Sequence, residues 1–287
     1  MFCFRTSGVL SRCFGIRAAM FAAVFVAAWN AQCGEVSTKQ MNGLMITVED
    51  RSAAAATCEE MAGSLAEPQW RSLFNGKNLD GWTVKSRPED RDKHGYWKVV
   101  DGAIEAETFA NRKHNYIWLL HDEEYDDFEL RMKVQTFAGT TGNSGVQVRS
   151  RYDDEASWLD GPQVDIHPPG PWRTGFLYDE TREAKIWLWP DVGRAANAKS
   201  HHAPTGWKWF QSDSGESWND VHILCQGTKI KTIINGVTVA DYDGAGRLDD
   251  AAHRQHEVGM RGHIGLQIHP GQQLRIRFKD IRVKEIR

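Results

Sequence analysis

Cysteine is scarce: the chain has five in 287 residues, and Cys3, Cys13 and Cys33 stand in an N-terminal stretch that reads as a leader. Cys58 and Cys225 remain, so no more than one bridge can form and a disulfide-stapled scaffold is excluded. Cys225, in "VHILCQG", reads as a small buried hydrophobe on a strand, and Cys58 lies in an alanine-rich segment without a pattern; neither reads as a nucleophile. An excess of charge is missing as well. A net charge of −3 gives no footprint for nucleic acid or for an anionic membrane surface. There is no P-loop, no dinucleotide fingerprint and no zinc-type spacing of Cys and His; the adjacent pair His201-His202 would point its rings apart. Internal repeats and low-complexity tracts are absent too.

The apolar run "AAMFAAVFVAAW" (18 to 29) is too short to span a bilayer comfortably. Arg5, Arg12 and Arg17 precede it, and the small residues Ala31 and Cys33 suit cleavage before Gly34, so residues 1–33 read as a secretory signal peptide. Export to the periplasm or beyond the cell is the expectation, with no transmembrane segment in the mature chain. A lipoprotein anchor at Cys33 fits less well, because Asn30 and Gln32 replace the aliphatic and small residues such a signal carries. Residues 34–67 read as a linker or flexible arm with little periodicity. Residues 68–287 form one domain, a size that a β-sandwich reaches as a single unit.

What is there is β-patterned. "YWKVVDGAIEAE", "FELRMKVQTF", "SGVQVRSR", "HIGLQIH" and "IRFKDIRVKEI" are short alternating runs between Gly, Asn and Asp turns, with no long amphipathic helix among them. That spacing argues a sandwich or jelly roll. Asn235-Gly236, inside "KIKTIINGVTVADY", suits a two-residue type I′ hairpin turn. Alternation then sorts side chains onto faces. Val146 and Val148, Val164 and Ile166, and Ile264, Leu266 and Ile268 face the core. Gln147, Arg149 and Arg151, then Gln163, Asp165 and His167, then His263, Gln267 and His269 face the other way. If these runs are neighbours in one sheet, that polar face is a site; the plainer alternative is a solvated outer face. Trp172, Trp187, Trp189, Trp207 and Trp209 crowd the middle of the chain, and one or two of them are expected to reach a ligand by stacking on a sugar ring.

The chain also resembles a known family. "LFNGKNLDGW" (73 to 82), "WKVVDGAI" (97 to 104), "YDDFEL" (125 to 130), "GNSGVQVRSR" (142 to 151), "GPQVDI" (161 to 166), "GFLYDETR" (175 to 182), "WNDVHILCQGTKIKTIINGVTV" (218 to 239), "GHIGLQIH" (262 to 269) and "IRFKDIRVKEI" (276 to 286) follow one another as in the 3-keto-disaccharide hydrolase domain family. The resemblance covers essentially the whole mature domain. It implies an all-β concanavalin- or laminin-G-like jelly roll of two antiparallel sheets, and an oxidised glycoside as the partner.

A ketone at C3 acidifies the C2 hydrogen and leaves the glycosidic oxygen in the β position, so the bond can break by elimination followed by hydration. Such an enzyme needs a base, a donor or cation for the enolate oxygen, and an acid for the departing oxygen. Asp165 or Glu180 is the candidate base. Arg149, or else Arg182, is the candidate enolate clamp, and His269 the acid or shuttle. Gln163, Tyr178, Gln267, Arg151, Arg182 and Trp172 are expected at the substrate. No cofactor is assigned: a divalent metal on Asp165, His167 and His269 could replace the arginine, and the sequence leaves both open. The plain readings are an ion pair between Arg149 and Asp165, and Tyr178 as a half-buried loop anchor. A two-carboxylate glycosidase acting on unoxidised sugar, or a carbohydrate-binding module without catalysis, are the competing functions.

Overall fold

The computed structural model describes residues 69–140, 142–167, 173–191, 203–211 and 216–286. Residues 1–33 and 34–67, Cys58, Trp172 and the pair His201-His202 lie outside the described residues.

The strands, in chain order, are β1 (Arg71–Ser72), β2 (Trp82–Ser86), β3 (Trp97–Val100), β4 (Ala103–Glu107), β5 (Ile117–Tyr125), β6 (Phe128–Thr136), β7 (Ser144–Asp153), β8 (Trp158–Asp160), β9 (Pro162–Ile166), β10 (Leu177–Asp179), β11 (Ile186–Trp189), β12 (Asn219–Gln226), β13 (Lys229–Ile234), β14 (Val237–Asp243), β15 (Gly262–Ile268) and β16 (Arg275–Glu285). Among the described residues they form two eight-stranded antiparallel sheets. The first runs β14-β13-β12-β6-β16-β4-β3, with β1 on β16; the second runs β11-β10-β9-β7-β15-β5-β2, with β8 on β7. This is the sandwich that the alternating runs predict.

The inward positions come out as read. Val146, Val148, Val164, Ile166, Ile264, Leu266 and Ile268 join Leu130, Val134, Ile223, Ile276 and Phe278 of the first sheet in one buried cluster. Each fully buried side chain of this kind contributes about 1.5–3 kcal/mol, so this cluster is the main stabilising element. Cys225 is among them, free and buried, as its apolar setting predicts. Asn235 and Gly236 carry φ of 47° and 82° between β13 and β14, the left-handed pair that a type I′ turn demands.

A smaller apolar cluster forms on the opposite face of the second sheet. Trp118, Leu120 and Leu159 are buried there, with Tyr116, Tyr152 and Trp158 packed against them. One short helix, α1 (Ala251–His256), is capped by the Asp250 side chain, which accepts from the His253 N–H at 3.0 Å.

Candidate active site

Cross-strand register builds the site in ranks on the outer face of the second sheet. Trp187 pairs with Tyr178, Tyr178 with Gln163, Gln163 with Gln147, Gln147 with Gly265, and Gly265 with Leu120. One pleat further, Asp165 stands opposite Gly145, and Gln267 opposite Trp118. Gly145 has a steric reason: a Cβ there would stand 2.3 Å from the Gln163 Cδ, so glycine lets the glutamine lie across the strand.

This face is not solvated surface. Gln147 and Gln267 are 0 % exposed, Asp165 1 % and Glu180 6 %, which rules out the plain outer-face reading. Gln147 Nε2 donates to Gln163 Oε1 at 2.6 Å, Gln163 Nε2 to Asp165 Oδ1 at 3.5 Å, and Gln267 Nε2 to Glu180 Oε1 at 3.5 Å. Two amides in series thus hold Asp165, and a separate amide holds Glu180.

Burial pushes the Asp165 carboxyl up to about 7, against the opposing pull of the Arg173 guanidinium and a hydrogen bond from Asn143. Glu180 also rises to about 7, chiefly through burial; Gln267 and Lys185 pull it down, while Asp165 and Asp179 add to the rise. Arg173 Nε lies 3.3 Å from Asp165 Oδ2, and its guanidinium carbon lies 5.4 Å from the Trp187 ring centroid. The Asp165 and Arg173 atoms meet without hydrogen-bond alignment, and Gln267 Oε1 has no hydrogen-bond partner. Buried polar atoms left in that state mark where a ligand's hydroxyl groups can complete the network.

Glu180 is held by its neighbours along the chain. Asp179 Oδ2 lies 3.1 Å from His253 Nε2, and Asp250 Oδ1 lies 2.9 Å from His253 Nδ1, with His253 fully buried. Burial opposes a charge on His253, but the Asp179 and Asp250 carboxylates outweigh it and raise its pKa. Trp158 Nε1 donates to the Glu180 carbonyl at 2.8 Å, and Lys185 Nζ lies 3.9 Å from the Trp158 ring centroid.

The structure does not bring every predicted residue to this face. Arg149 is the main correction. Its φ is 49°, and β15 shifts register between His263 and Gly265 alongside it, so alternation along β7 breaks after Val148. The guanidinium is 0 % exposed and donates to the carbonyls of Asp126, Gly227 and Gly259 and to Asp127 Oδ1, which commits it to the framework. It is neither the enolate clamp nor the ion-pair partner of Asp165. Arg182 is likewise occupied by Asp160 and Asp153, and Arg151 by Glu124 and Glu257. His263 turns to the His121 carbonyl and Glu124.

Asp165, Glu180, Gln163, Gln267, Tyr178 and His269 do belong to this side of the sheet. His269 is largely buried, and burial lowers its pKa; its Nε2 lies 3.3 Å from the Tyr116 hydroxyl. Asp165, His167 and His269 do not gather as ligands: among the described residues, no three His, Cys, Asp or Glu side chains form a group able to hold a metal. Of the tryptophans, Trp187 lies in the site's first rank. Trp209 donates to Thr136 Oγ1, and Trp207 packs on the main core.

Three residues escape sequence reading. Arg173 follows a proline-rich loop with no periodicity, and Asn143 precedes the strand whose faces alternate. Tyr116 shares a face with Trp118 in "YIW", an aromatic signal that the tryptophan-rich segment further along obscures.

None of the curated proteins matches this chain. Among solved structures it is similar to two candidate glycosyl hydrolases from Parabacteroides distasonis. The first has 15 % identity and a TM-score of 0.48, over 85 % of this chain and 99 % of that one. The second has 24 % identity and a TM-score of 0.45, over 76 % and 100 %. A carbohydrate-binding module from Bacillus subtilis has 13 % identity and a TM-score of 0.39, over 71 % and 96 %. The 3-keto-alpha-glucoside-1,2-lyase-like domain family matches residues 69–284, a span that runs from the strand-opening motif to the last strand and contains every residue of the buried amide and carboxylate network. The chain therefore belongs to this family of carbohydrate-active domains, the one its motifs resemble.

Proposed function

We propose that this protein cleaves glycosides oxidised to a ketone at C3. The observation that carries the reading is the pair of buried carboxylates, Asp165 and Glu180, both raised to about 7 on a face otherwise lined by amides and aromatics. A carboxyl poised near neutrality can take or give a proton at working pH. Each carboxyl has a cation acting on it, Arg173 on Asp165 and Lys185 on Glu180, and the pair shares one buried face; in this proposal Asp165 carries the charge and Glu180 keeps its proton.

Asp165 removes the C2 hydrogen as a proton, and the C–H electron pair passes toward the C3 oxygen as the enolate. The enolate then re-forms the ketone, a C1–C2 double bond appears, and the C1–O bond breaks. The departing oxygen takes the proton of Glu180. Water adds at C1, C2 is reprotonated, and the products are a 3-keto sugar and the free alcohol. Gln147, Gln163 and Gln267 present amides to the ring hydroxyls. Export through a leader at residues 1–33 is part of the same proposal, resting on Arg5, Arg12 and Arg17 before the apolar run 18 to 29.

The test is incubation of the purified protein with 3-keto-glucosides deuterated at C2 and with the matching unoxidised glucosides. Release of 3-keto sugar with loss of the label to solvent is the expected result. Turnover with the label fully retained would replace elimination with an oxocarbenium route. Sugar binding without turnover on any 3-keto substrate would leave a binding module. A parallel arm with chelator asks whether a divalent ion is needed.

A further inference from the structure

The elimination route places negative charge on the oxygen at C3, in a buried site whose two carboxyls are by then both protonated, Asp165 having taken the C2 hydrogen. A neutral donor aimed at that oxygen is needed, and Arg149 is committed to backbone carbonyls elsewhere. Arg173 is held between Asp165 and the face of Trp187, and drawing it off would strip the base of its cation.

We infer that Tyr116 donates the hydrogen bond that stabilises the C3 oxygen as the enolate forms, with His269 behind it orienting the hydroxyl. This rests on the proposed function and adds a catalytic residue to it. Tyr116 precedes β5 by one residue and is locked by three rings. It stacks on Trp118 with centroids 5.3 Å apart and planes 9° apart, and meets Trp158 edge-on at 5.2 Å and His269 edge-on at 5.0 Å. A ring so wedged holds its hydroxyl in one direction, which is the preorganisation an oxyanion donor requires.

The surroundings also keep the hydroxyl protonated. Burial, then the fields of Glu180, Tyr178 and Asp165, drive the phenol's pKa up, so the group stays a donor. Those three groups lie on the site face, which puts the hydroxyl on the substrate's side of the sheet.

His269 supplies the other half. Its Nε2 lies 3.3 Å from the Tyr116 hydroxyl, and its Nδ1 lies 3.2 Å from both the Pro270 carbonyl and Gln272 Nε2. With the proton on Nδ1, the ring donates to Pro270 and accepts from Tyr116. With the proton on Nε2, it accepts from Gln272 and donates to Tyr116. Both neutral tautomers are satisfied. The Nε2-protonated tautomer is the productive one: the phenol oxygen accepts from the ring, and its own O–H stays free to donate to the substrate oxygen with no proton transferred.

The test separates enolisation from bond cleavage. Free 3-keto-glucose has no glycosidic alcohol to expel, so exchange of its C2 hydrogen in D2O reports enolate formation alone. Tyr116→Phe keeps the ring packing and is expected to lower both exchange and glycoside cleavage by about 10²–10³-fold, with KM little changed. Exchange at the wild-type rate in a folded Tyr116→Phe protein overturns the inference while leaving the proposed function standing. A wild-type protein that neither exchanges nor cleaves overturns the proposed function itself. Should the phenylalanine variant fail to fold, 3-fluorotyrosine at position 116, which makes the phenol more acidic without altering its packing, must change the exchange rate; an unchanged rate again overturns the inference.

Discussion

The Asp165 carboxylate and the Arg173 guanidinium meet at 3.3 Å, while Glu180, on the same buried face, has Asp165 and Asp179 among the charges acting on it. Lys185 acts on Glu180 as well, so the two pKa values are raised alike, and the carboxyl beside Arg173 is the proposed base. Removing the cation should raise the pKa of Asp165 further, so Arg173→Gln should move the acid limb of the kcat/KM profile to higher pH by roughly one unit or more. An acid limb that stays in place would mean that Asp165 is not the group it reports.

The same burial that tunes these carboxyls weakens the fold. Their folded pKa values, about 7, exceed the ordinary 3.8 and 4.5 of Asp and Glu. Their contribution to stability is thus complete below about pH 4 and is lost as pH rises through 7. Asp165→Asn and Glu180→Gln should each raise Tm by a few degrees at pH 8 and leave it nearly unchanged at pH 4, while cutting turnover by roughly two to four decades. Thermal melts at the two pH values check this; equal shifts at both would contradict the assigned ionisation.

Arg149 behaves differently. Arg149→Met strands three carbonyls that the guanidinium now satisfies and leaves Asp127 Oδ1 with the Gly227 N–H but no cation, so a loss of about 3–5 kcal/mol is expected by denaturant titration. The fraction that remains folded should keep the KM and the pH profile of the parent. A selective loss of kcat in a stably folded variant would return Arg149 to the chemistry.

Gly145→Ala tests the floor of the site. The new methyl would meet Gln163 at 2.3 Å, and the glutamine must swing away from Gln147 and Asp165. Kinetics should show a loss of roughly ten- to a hundredfold in kcat/KM with a small change in Tm, because the crowding falls on the polar face and not on the core. A variant with wild-type kinetics would show that Gln163 can move freely.

Alternation along the strands was enough to read the core positions of β7, β9 and β15, and it placed Gln163, Asp165 and Gln267 together on the opposite face. It failed where the backbone leaves the extended region. The positive φ at Arg149 changes which way the later residues of β7 point, and nothing in "VQVRSR" announces it. Glu180 and Arg173 sit beside strands, in loop segments that no period governs, and their approach to Asp165 comes from tertiary packing. The amide network could not be foreseen, because glutamine stands mostly on solvated faces and nothing in its neighbours announces burial; its burial settles the matter.

Arg149 also constrains the order in which the molecule assembles. The carbonyls it binds lie 23, 78 and 110 residues away along the chain, at Asp126, Gly227 and Gly259. A ribosome must release most of the domain before the last of these partners exists, and until then the guanidinium keeps its hydration shell. Closure around it is therefore a late event, of the kind that makes sandwiches with distant pairings slow to fold. A chain truncated before Gly259 would lack β15 as well, and Arg149 would stand in water on an unpaired edge of β7.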